Sequence, residues 1–160
     1  MSAATGTNLV NRLIVAIRDE VACQENIVAL LAAQEESIRE PASEPFQAAT
    51  LGLEVELRRS AQRTARREHA LAALAADLGV TPGAATVGSL VERLGADGAL
   101  LAEERARLLE VSSEVRRRNR RMATLVRLHR QVTRELIQVV LGPEDGGDVH
   151  DGGSLIDAEV

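Results

Sequence analysis

The segment "LVNRLIVAIRDEVACQENIVALL", residues 9–31, decides the fold class of this chain. Its apolar residues recur at alternating steps of three and four, with one polar interruption at Gln24, and the pattern runs on to about residue 40. This spacing places them on one face of a long α-helix, and neighbouring leucines widen the face enough to contact more than one helix. We therefore expect a helical bundle. The residues in phase are Val10, Ile14, Ile17, Val21, Val28, Leu31 and Ile38.

A second helical run, from about Phe46 to Leu78, follows a break that Pro41 and Pro45 predict. Gly79 is the expected end of this helix, because glycine readily adopts the left-handed conformation that closes a helix. The Pro82–Gly83 pair then predicts a turn. Polar residues occupy seam positions in the middle of the run, which predicts weak packing or a polar contact there: Ser60, Thr64 and Arg67.

The carboxyl-terminal half begins with a short amphipathic helix over Val87–Leu94, which Gly95 ends. Asp97 is the expected N-cap of the longest helical run, which continues to Leu141. Residues 143–160 carry six acidic residues, four glycines and no arginine, so we expect a flexible acidic Gly-rich tail after a helical bundle domain over residues 1–142. The sequence predicts an all-α fold: an elongated antiparallel helical bundle, or coiled coil, of three long helices plus one short connecting helix.

Composition argues against several classes of function. Aromatic residues make up 1% of the chain and its net charge is -5, which disfavours base stacking and attraction to nucleic acids or anionic membranes. The single Cys23 excludes an intrachain disulfide, and the three histidines lie on separate elements without metal-binding spacing. No signal sequence and no window of about eighteen uncharged apolar residues occurs. We expect a cytoplasmic protein that is not an enzyme and has no cofactor, metal, nucleic-acid partner or membrane insertion.

The most basic segment is "VRRRNRRMATLVRLHR", residues 115–130. At about 100° per residue, most of its arginines fall on one stripe of a helix and apolar residues fall on the opposite side. Arg118 and Asn119 project toward the apolar side or its edges. The stripe is interpreted as a solvated helix face, with an acidic protein partner as the second alternative and nucleic acid as the third. It comprises Arg116, Arg120, Arg127, Arg130 and Arg134.

A further local pattern surrounds His69. The segment "EHALAALAADLG", which starts at Glu68, is similar to a histidine phosphotransfer segment, in which an exposed histidine on a helical bundle accepts phosphate. His69 and Leu71 match that pattern, whereas Ala72 and Ala73 replace its lysine and glycine. Phosphotransfer through His69 is therefore kept as an alternative that ranks below a plain surface histidine.

The order of a long first helix, a short central helix and a long last helix with an asparagine among arginines resembles the FlgN-type flagellar export chaperones. The resemblance rests on "VRRRNRRMATLVRLHRQV", in which Asn119 is followed by Met122, Leu125 and Val126, and on "TVGSLVERLG" in the short helix. It implies a cytoplasmic type III export chaperone that binds the C-terminal helical segments of hook-filament junction proteins. Such a chaperone prevents premature assembly of these subunits and delivers them to components of the export apparatus.

A client helix would lie in a helix-in-groove contact along the apolar arc of residues 111–140, where polar interruptions set its register and keep the affinity reversible. The alternative function is that of a structural coiled-coil dimerisation or adaptor protein, in which the same apolar stripes pair two copies. Both a monomer and a homodimer are therefore open. The candidate partner-binding residues are Val111, Val115, Arg118, Asn119, Met122, Leu125, Val126, His129, Val132 and Leu136.

Overall fold

The computed structural model describes the backbone of residues 3–141 and the side chains of residues 6–140. Short 3₁₀ turns precede and follow the third helix, and residues 3–141 contain no strand. The predicted all-α class, with three long helices and one short connecting helix, is confirmed. Within this range, no helix combines the length and the apolar character of a membrane span. The helices are α1 (Ala3–Ser37), α2 (Glu44–Asp77), α3 (Val87–Leu94) and α4 (Ala99–Leu141).

The chain divides into two units, residues 1–125 and residues 126–160. The first unit contains α1, α2, α3 and the beginning of α4, together with the two hydrophobic clusters of the core. The described part of the second unit is helical as far as Leu141. The predicted domain boundary after residue 142 stays a prediction, and the predicted acidic tail, residues 143–160, lies outside the described residues.

The ends of α2 follow the signals in the sequence. Residues 38–43 lie outside the helices, which confirms the break predicted between α1 and α2. At the other end, Gly79 has φ +65°, a left-handed conformation that glycine adopts without strain. The amides of Gly79 and Val80 donate to the carbonyl oxygens of Ala76 and Ala75, respectively, and this Schellman motif closes the helix at the predicted glycine.

Asp97 is not the N-cap of α4, so that prediction was wrong. It lies inside the 3₁₀ turn Gly95–Gly98, and α4 begins at Ala99. The reason is the close approach of this turn to α3. Gly98 is buried, and a Cβ atom at this position would lie 3.0 Å from the carbonyl oxygen of Val91. The chain therefore passes α3 in a tight glycine-containing turn before α4 can start.

The larger of the two hydrophobic clusters joins all four helices. Leu13, Leu74, Leu90 and Leu101 come from α1, α2, α3 and α4, respectively, and each is completely buried in it. Because aliphatic side chains from every helix converge there, this cluster supplies much of the apolar burial that stabilises the first unit. A smaller cluster lies further along α1, where residues of α2 and α4 pack on it: Cys23, Ile27 and Leu31, with Leu53 and Val115.

Helices α1 and α2 are antiparallel and are joined by buried polar contacts. Glu20, which is only 4% exposed, accepts hydrogen bonds from Thr64 Oγ1 at 3.0 Å and from Arg67 Nε at 2.6 Å. Further along the pair, Gln34 Nε2 donates to Thr50 Oγ1 at 2.8 Å. The polar contact predicted from the seam of the second helix is therefore confirmed at Thr64 and Arg67.

Helix α4 runs parallel to α1 within the first unit. Near its start, Glu104 accepts a hydrogen bond from Arg18 Nε at 2.6 Å, and further along α4 Ser112 Oγ donates to Gln24 Oε1 at 2.7 Å. Both contacts advance in the same direction along the two helices, which defines the parallel arrangement. As a consequence, the predicted partner-binding residues between positions 111 and 122 belong to a stretch of α4 that runs beside α1.

Candidate functional site

Four of the ten predicted partner-binding residues are occupied by packing within the first unit. Val111 packs against the larger hydrophobic cluster and Val115 against the smaller one. Met122 is buried, and Arg118 forms two ion pairs. The side chains of these four residues hold α4 within the unit in this conformation, and their part in binding a partner stays a prediction.

Arg118 makes ionic contacts within α4 and with α1. Its Nε donates to Glu114 Oε1 at 2.7 Å, and its Nη1 donates to Glu35 Oε2 of α1 at 3.2 Å. The same oxygen of Glu35 lies 3.6 Å from Arg121 Nη1, and Glu114 also pairs with Arg117. Two carboxylates thus compensate three arginines of the basic segment. The contact with Glu35 places Arg118 on the α1 side of α4, as the helical projection predicts.

The predicted arginine stripe occupies exposed positions of α4. All five of its members, Arg116, Arg120, Arg127, Arg130 and Arg134, are exposed. Exposed charges contribute little to folding stability, because water and salt screen them. This placement agrees with the interpretation of the stripe as a solvated face, and it directs attention to the opposite, apolar side of α4.

The other six predicted partner-binding residues are accessible to different degrees. In the first unit, Asn119 is exposed and Leu125 is half-buried. In the second unit, Val126 is half-buried and the remaining three are exposed. The exposed residues of the second unit are His129, Val132 and Leu136.

Four large apolar residues of the second unit form an exposed row on α4, which we name the carboxyl-terminal apolar stripe: Leu128, Val132, Leu136 and Val139, exposed by 56%, 45%, 59% and 80%. At about 100° per residue, all four lie within about 40° of Val132 around the helix. Rows of exposed large apolar side chains mark protein-binding sites more often than plain surface. The predicted site lacked Leu128 and Val139, although their distance of four and seven residues from Val132 places them on the same face.

Cys23 is a packed residue of the core. It is fully buried, and its Sγ lies 3.2 Å from Glu56 Oε2. Burial, and after it the hydrogen bond to Glu56, raises the pKa of the Cys23 thiol, which disfavours the nucleophilic thiolate. A hydrogen bond from Arg59 Nη1 at 2.7 Å, and after it the one from Cys23, lowers the pKa of Glu56. These groups form another buried polar contact between α1 and α2.

The two histidines that the structure describes, His69 and His129, lie on different helices. His69 is exposed on α2, where it lines an open groove between α1 and α2 of ≈ 1150 Å³ that also exposes Val15. His129 is exposed in the second unit, and His150 lies outside the described residues. Among the side chains that the structure describes, no group of three His, Cys, Asp or Glu residues could hold a metal ion. An exposed His69 fits a surface histidine, and phosphotransfer through it stays an alternative prediction.

Comparison with known proteins identifies one family. The family model described as FlgN protein matches residues 1–148, which include all four helices and every predicted partner-binding residue. No curated protein and no solved structure gives a significant match.

Proposed function

The chain belongs to the FlgN family of flagellar export chaperones, and we propose that it binds the C-terminal helical segments of hook-filament junction proteins. By covering those segments it prevents the junction subunits from assembling early. It then delivers them to components of the export apparatus. We place this activity in the cytoplasm, and none of its steps requires a cofactor or a chemical reaction.

The carboxyl-terminal apolar stripe is the observation that carries the proposal. Full burial of a valine or leucine side chain contributes about 1.5–3 kcal/mol. Each residue of the stripe still exposes roughly half of its surface or more, so a partner that covers all four gains roughly 4–7 kcal/mol before the cost of association. Association itself costs about 4 kcal/mol or more, so the stripe alone leaves little net affinity, and a reversible complex needs further contacts along α4.

The shape of the stripe favours an amphipathic helix as the client. A helix presents apolar residues three and four positions apart, and these can lie along the matching row from Leu128 to Val139. His129 borders the row at about 60° from Val132 and provides a polar contact at its edge. A polar contact at the edge of an apolar interface sets the register of the client, because a shifted helix would leave polar groups unpaired.

The predicted residues of the first unit have a different place in this proposal. Asn119 and Leu125 are accessible to a client without any rearrangement. A client reaches Val115 or Met122 only if it displaces side chains that pack against them within the unit. This displacement costs the free energy that their present burial contributes. We therefore propose that the client first contacts the exposed residues of α4.

Titration with a synthetic peptide tests the proposal. The peptide is the C-terminal segment of the hook-filament junction protein encoded in the same genome, and binding is measured by isothermal titration calorimetry. Val132→Glu places a charge in the middle of the stripe, so we expect the Kd to rise about tenfold or more. Thr133→Glu is the matched control, since it adds the same charge about 100° away, and its Kd should stay within about twofold of the native value.

Two outcomes would contradict the proposal. If the native chain binds the peptide no better than a scrambled peptide of the same composition, the junction protein is not its client. If Val132→Glu and Thr133→Glu weaken binding equally, the client does not lie on the stripe. Far-UV circular dichroism of both variants confirms that helix content is unchanged, which is expected because both positions are exposed.

A further inference from the structure

The open groove between α1 and α2 is a second accessible surface, and it takes no part in the proposed client site. Its volume is ≈ 1150 Å³, and every residue that lines it belongs to α1 or α2. On α1 the lining runs over residues 7–19, which is about 18 Å of helix. Val15 exposes 56% of its surface there. Small side chains on both helices leave room for a partner to come close: Ala16, Ala65 and Ala70.

The groove faces away from α4. On α1, Gln24 and Glu35 contact α4, and at about 100° per residue they lie about 180° and 160° around the helix from Val15. Helix α4 therefore packs on one side of the α1–α2 pair, and the groove lies on the other side. A helix seated in the groove would complete a four-helix arrangement.

The walls of the groove favour a helical partner over an extended one. The backbone groups of α1 and α2 are already paired within their own helices, so an extended peptide would lose hydrogen bonds to water and gain none in return. A helix satisfies its own backbone and presents apolar residues three and four positions apart along the groove.

Charge indicates what kind of helix fits. Arg12 and Arg66 line the groove from opposite helices, and both are exposed. Among the described residues, neither guanidinium group forms a hydrogen bond or an ion pair. On the side of α1 that meets α4, by contrast, Glu25 and Glu35 each pair with an arginine of α4. Asp19 is the one carboxylate among the described residues that line the groove, so its positive charges exceed its negative ones and favour an acidic partner.

We propose that the groove between α1 and α2 binds an acidic amphipathic helix of a second protein. The apolar row of that helix covers Val15, and its carboxylates pair with Arg12 and Arg66. This site does not rest on the proposed client, because α4 supplies none of its residues. The client and the second protein therefore do not compete for the same side chains.

Isothermal titration calorimetry with a designed probe tests the proposal. The probe is an alanine-rich peptide of about 18 residues, with leucines three and four positions apart and glutamates on both sides of them. The native chain should bind it, and Arg12→Glu together with Arg66→Glu should raise the Kd about tenfold or more. Arg39→Glu together with Arg93→Glu is the matched control, since it makes the same change in net charge at two exposed arginines outside the groove. Its Kd should stay within about twofold of the native value.

A charge-reversed probe separates ion pairing from damage to the fold. In this peptide every glutamate is replaced by lysine, and it should bind the chain with Arg12→Glu and Arg66→Glu more tightly than the native chain. A structural defect would weaken the binding of both probes. The proposal is overturned if the native chain binds the glutamate probe no better than a scrambled peptide of the same composition. It is equally overturned if the two double variants weaken binding to the same degree, or if the lysine probe does not prefer the reversed chain.

Two further titrations locate the probe. Val132→Glu should bind the glutamate probe within about twofold of the native value, and a larger loss would mean that the probe lies on the carboxyl-terminal apolar stripe. If the chain forms a dimer that Arg12→Glu with Arg66→Glu dissociates and the probe does not, the groove holds a second copy, and the proposal is wrong. The junction-protein peptide is titrated separately into the native chain: its failure to bind refutes the proposed client, while the designed probes still decide the groove.

Discussion

Replacement of Arg67 by methionine tests whether a buried ion pair holds α1 against α2. The Arg67 Nε atom lies 2.6 Å from Glu20 Oε2, and the other Glu20 oxygen lies 3.0 Å from Thr64 Oγ1. Methionine retains much of the aliphatic stem of arginine and removes its charge. In Arg67→Met, the buried Glu20 carboxylate therefore keeps only one neutral hydrogen-bond donor, the Thr64 hydroxyl. The folded state loses the positive charge that compensated the desolvation of this carboxylate.

The structure sets the expected size of this loss. Removal of one partner from a buried ion pair costs about 3–5 kcal/mol. The side chain of Arg67 is 20% exposed, so some screening by water is present and we expect the lower end, about 3 kcal/mol. For a chain of this length the melting temperature falls roughly 2–4 °C per kcal/mol, which predicts a decrease of roughly 6–12 °C. Glu20→Met together with Arg67→Met removes both charges, and its stability should lie within about 1 kcal/mol of the native value.

Urea unfolding followed by far-UV circular dichroism measures these differences in the free energy of unfolding. Arg66→Met is the matched control, because Arg66 is the exposed neighbour of Arg67 on α2. It should change stability by less than about 0.5 kcal/mol. If Arg67→Met loses as little stability as Arg66→Met, the ion pair does not hold α1 against α2. If the double variant is as unstable as Arg67→Met alone, the loss does not come from an unpaired carboxylate.

Two further predictions concern the middle and the carboxyl-terminal end of α2. The pKa of Glu56 is lower in the folded chain than in the unfolded chain. The ionised Glu56 therefore stabilises the fold above its unfolded-state pKa, and this stabilisation is lost as the pH falls through its folded-state pKa. On acidification, the free energy of unfolding of Glu56→Gln should therefore fall less than that of the native chain. An equal fall in the variant and the native chain would contradict this. Gly79→Ala places a Cβ atom at φ +65° and should cost about 1 kcal/mol, whereas Gly83→Ala, at a position with open space around it, should not destabilise; urea unfolding compares the two.

Local signals in the sequence predicted most of the fold. Gly79 ends α2 because its lack of a side chain permits the left-handed conformation, and this property belongs to the residue itself. Pro41, between α1 and α2, and Pro45, in the first turn of α2, act in the same local way. Asp97 failed as a predicted N-cap for the opposite reason: the turn at Gly95–Gly98 is shaped by its approach to Val91 of α3, and no local pattern contains that contact.

The candidate site was predictable only in part. Helical periodicity correctly placed Arg118 on the apolar side of α4 and the arginine stripe on the exposed side. The same periodicity could have added Leu128 and Val139 to the candidate residues, because they lie on the face of Val132. It could not separate Val115 from Val132, since both are valines on the apolar side of one long helical run.

The helices, their approximate ends and the face of α4 that carries apolar residues could be predicted from the sequence, because they depend on spacing and on residues close together in the chain. Which part of that face is already covered depends on contacts between residues far apart in the chain, so it became known from the folded structure. Val115 is covered because α1 runs beside it and supplies Cys23, Ile27 and Leu31, more than eighty residues away in sequence. Val132 has the same chemistry and remains 45% exposed. Burial depends on the neighbours that a side chain has in space. In this chain, one part of the apolar face of α4 is packed within the first unit, and another part is exposed.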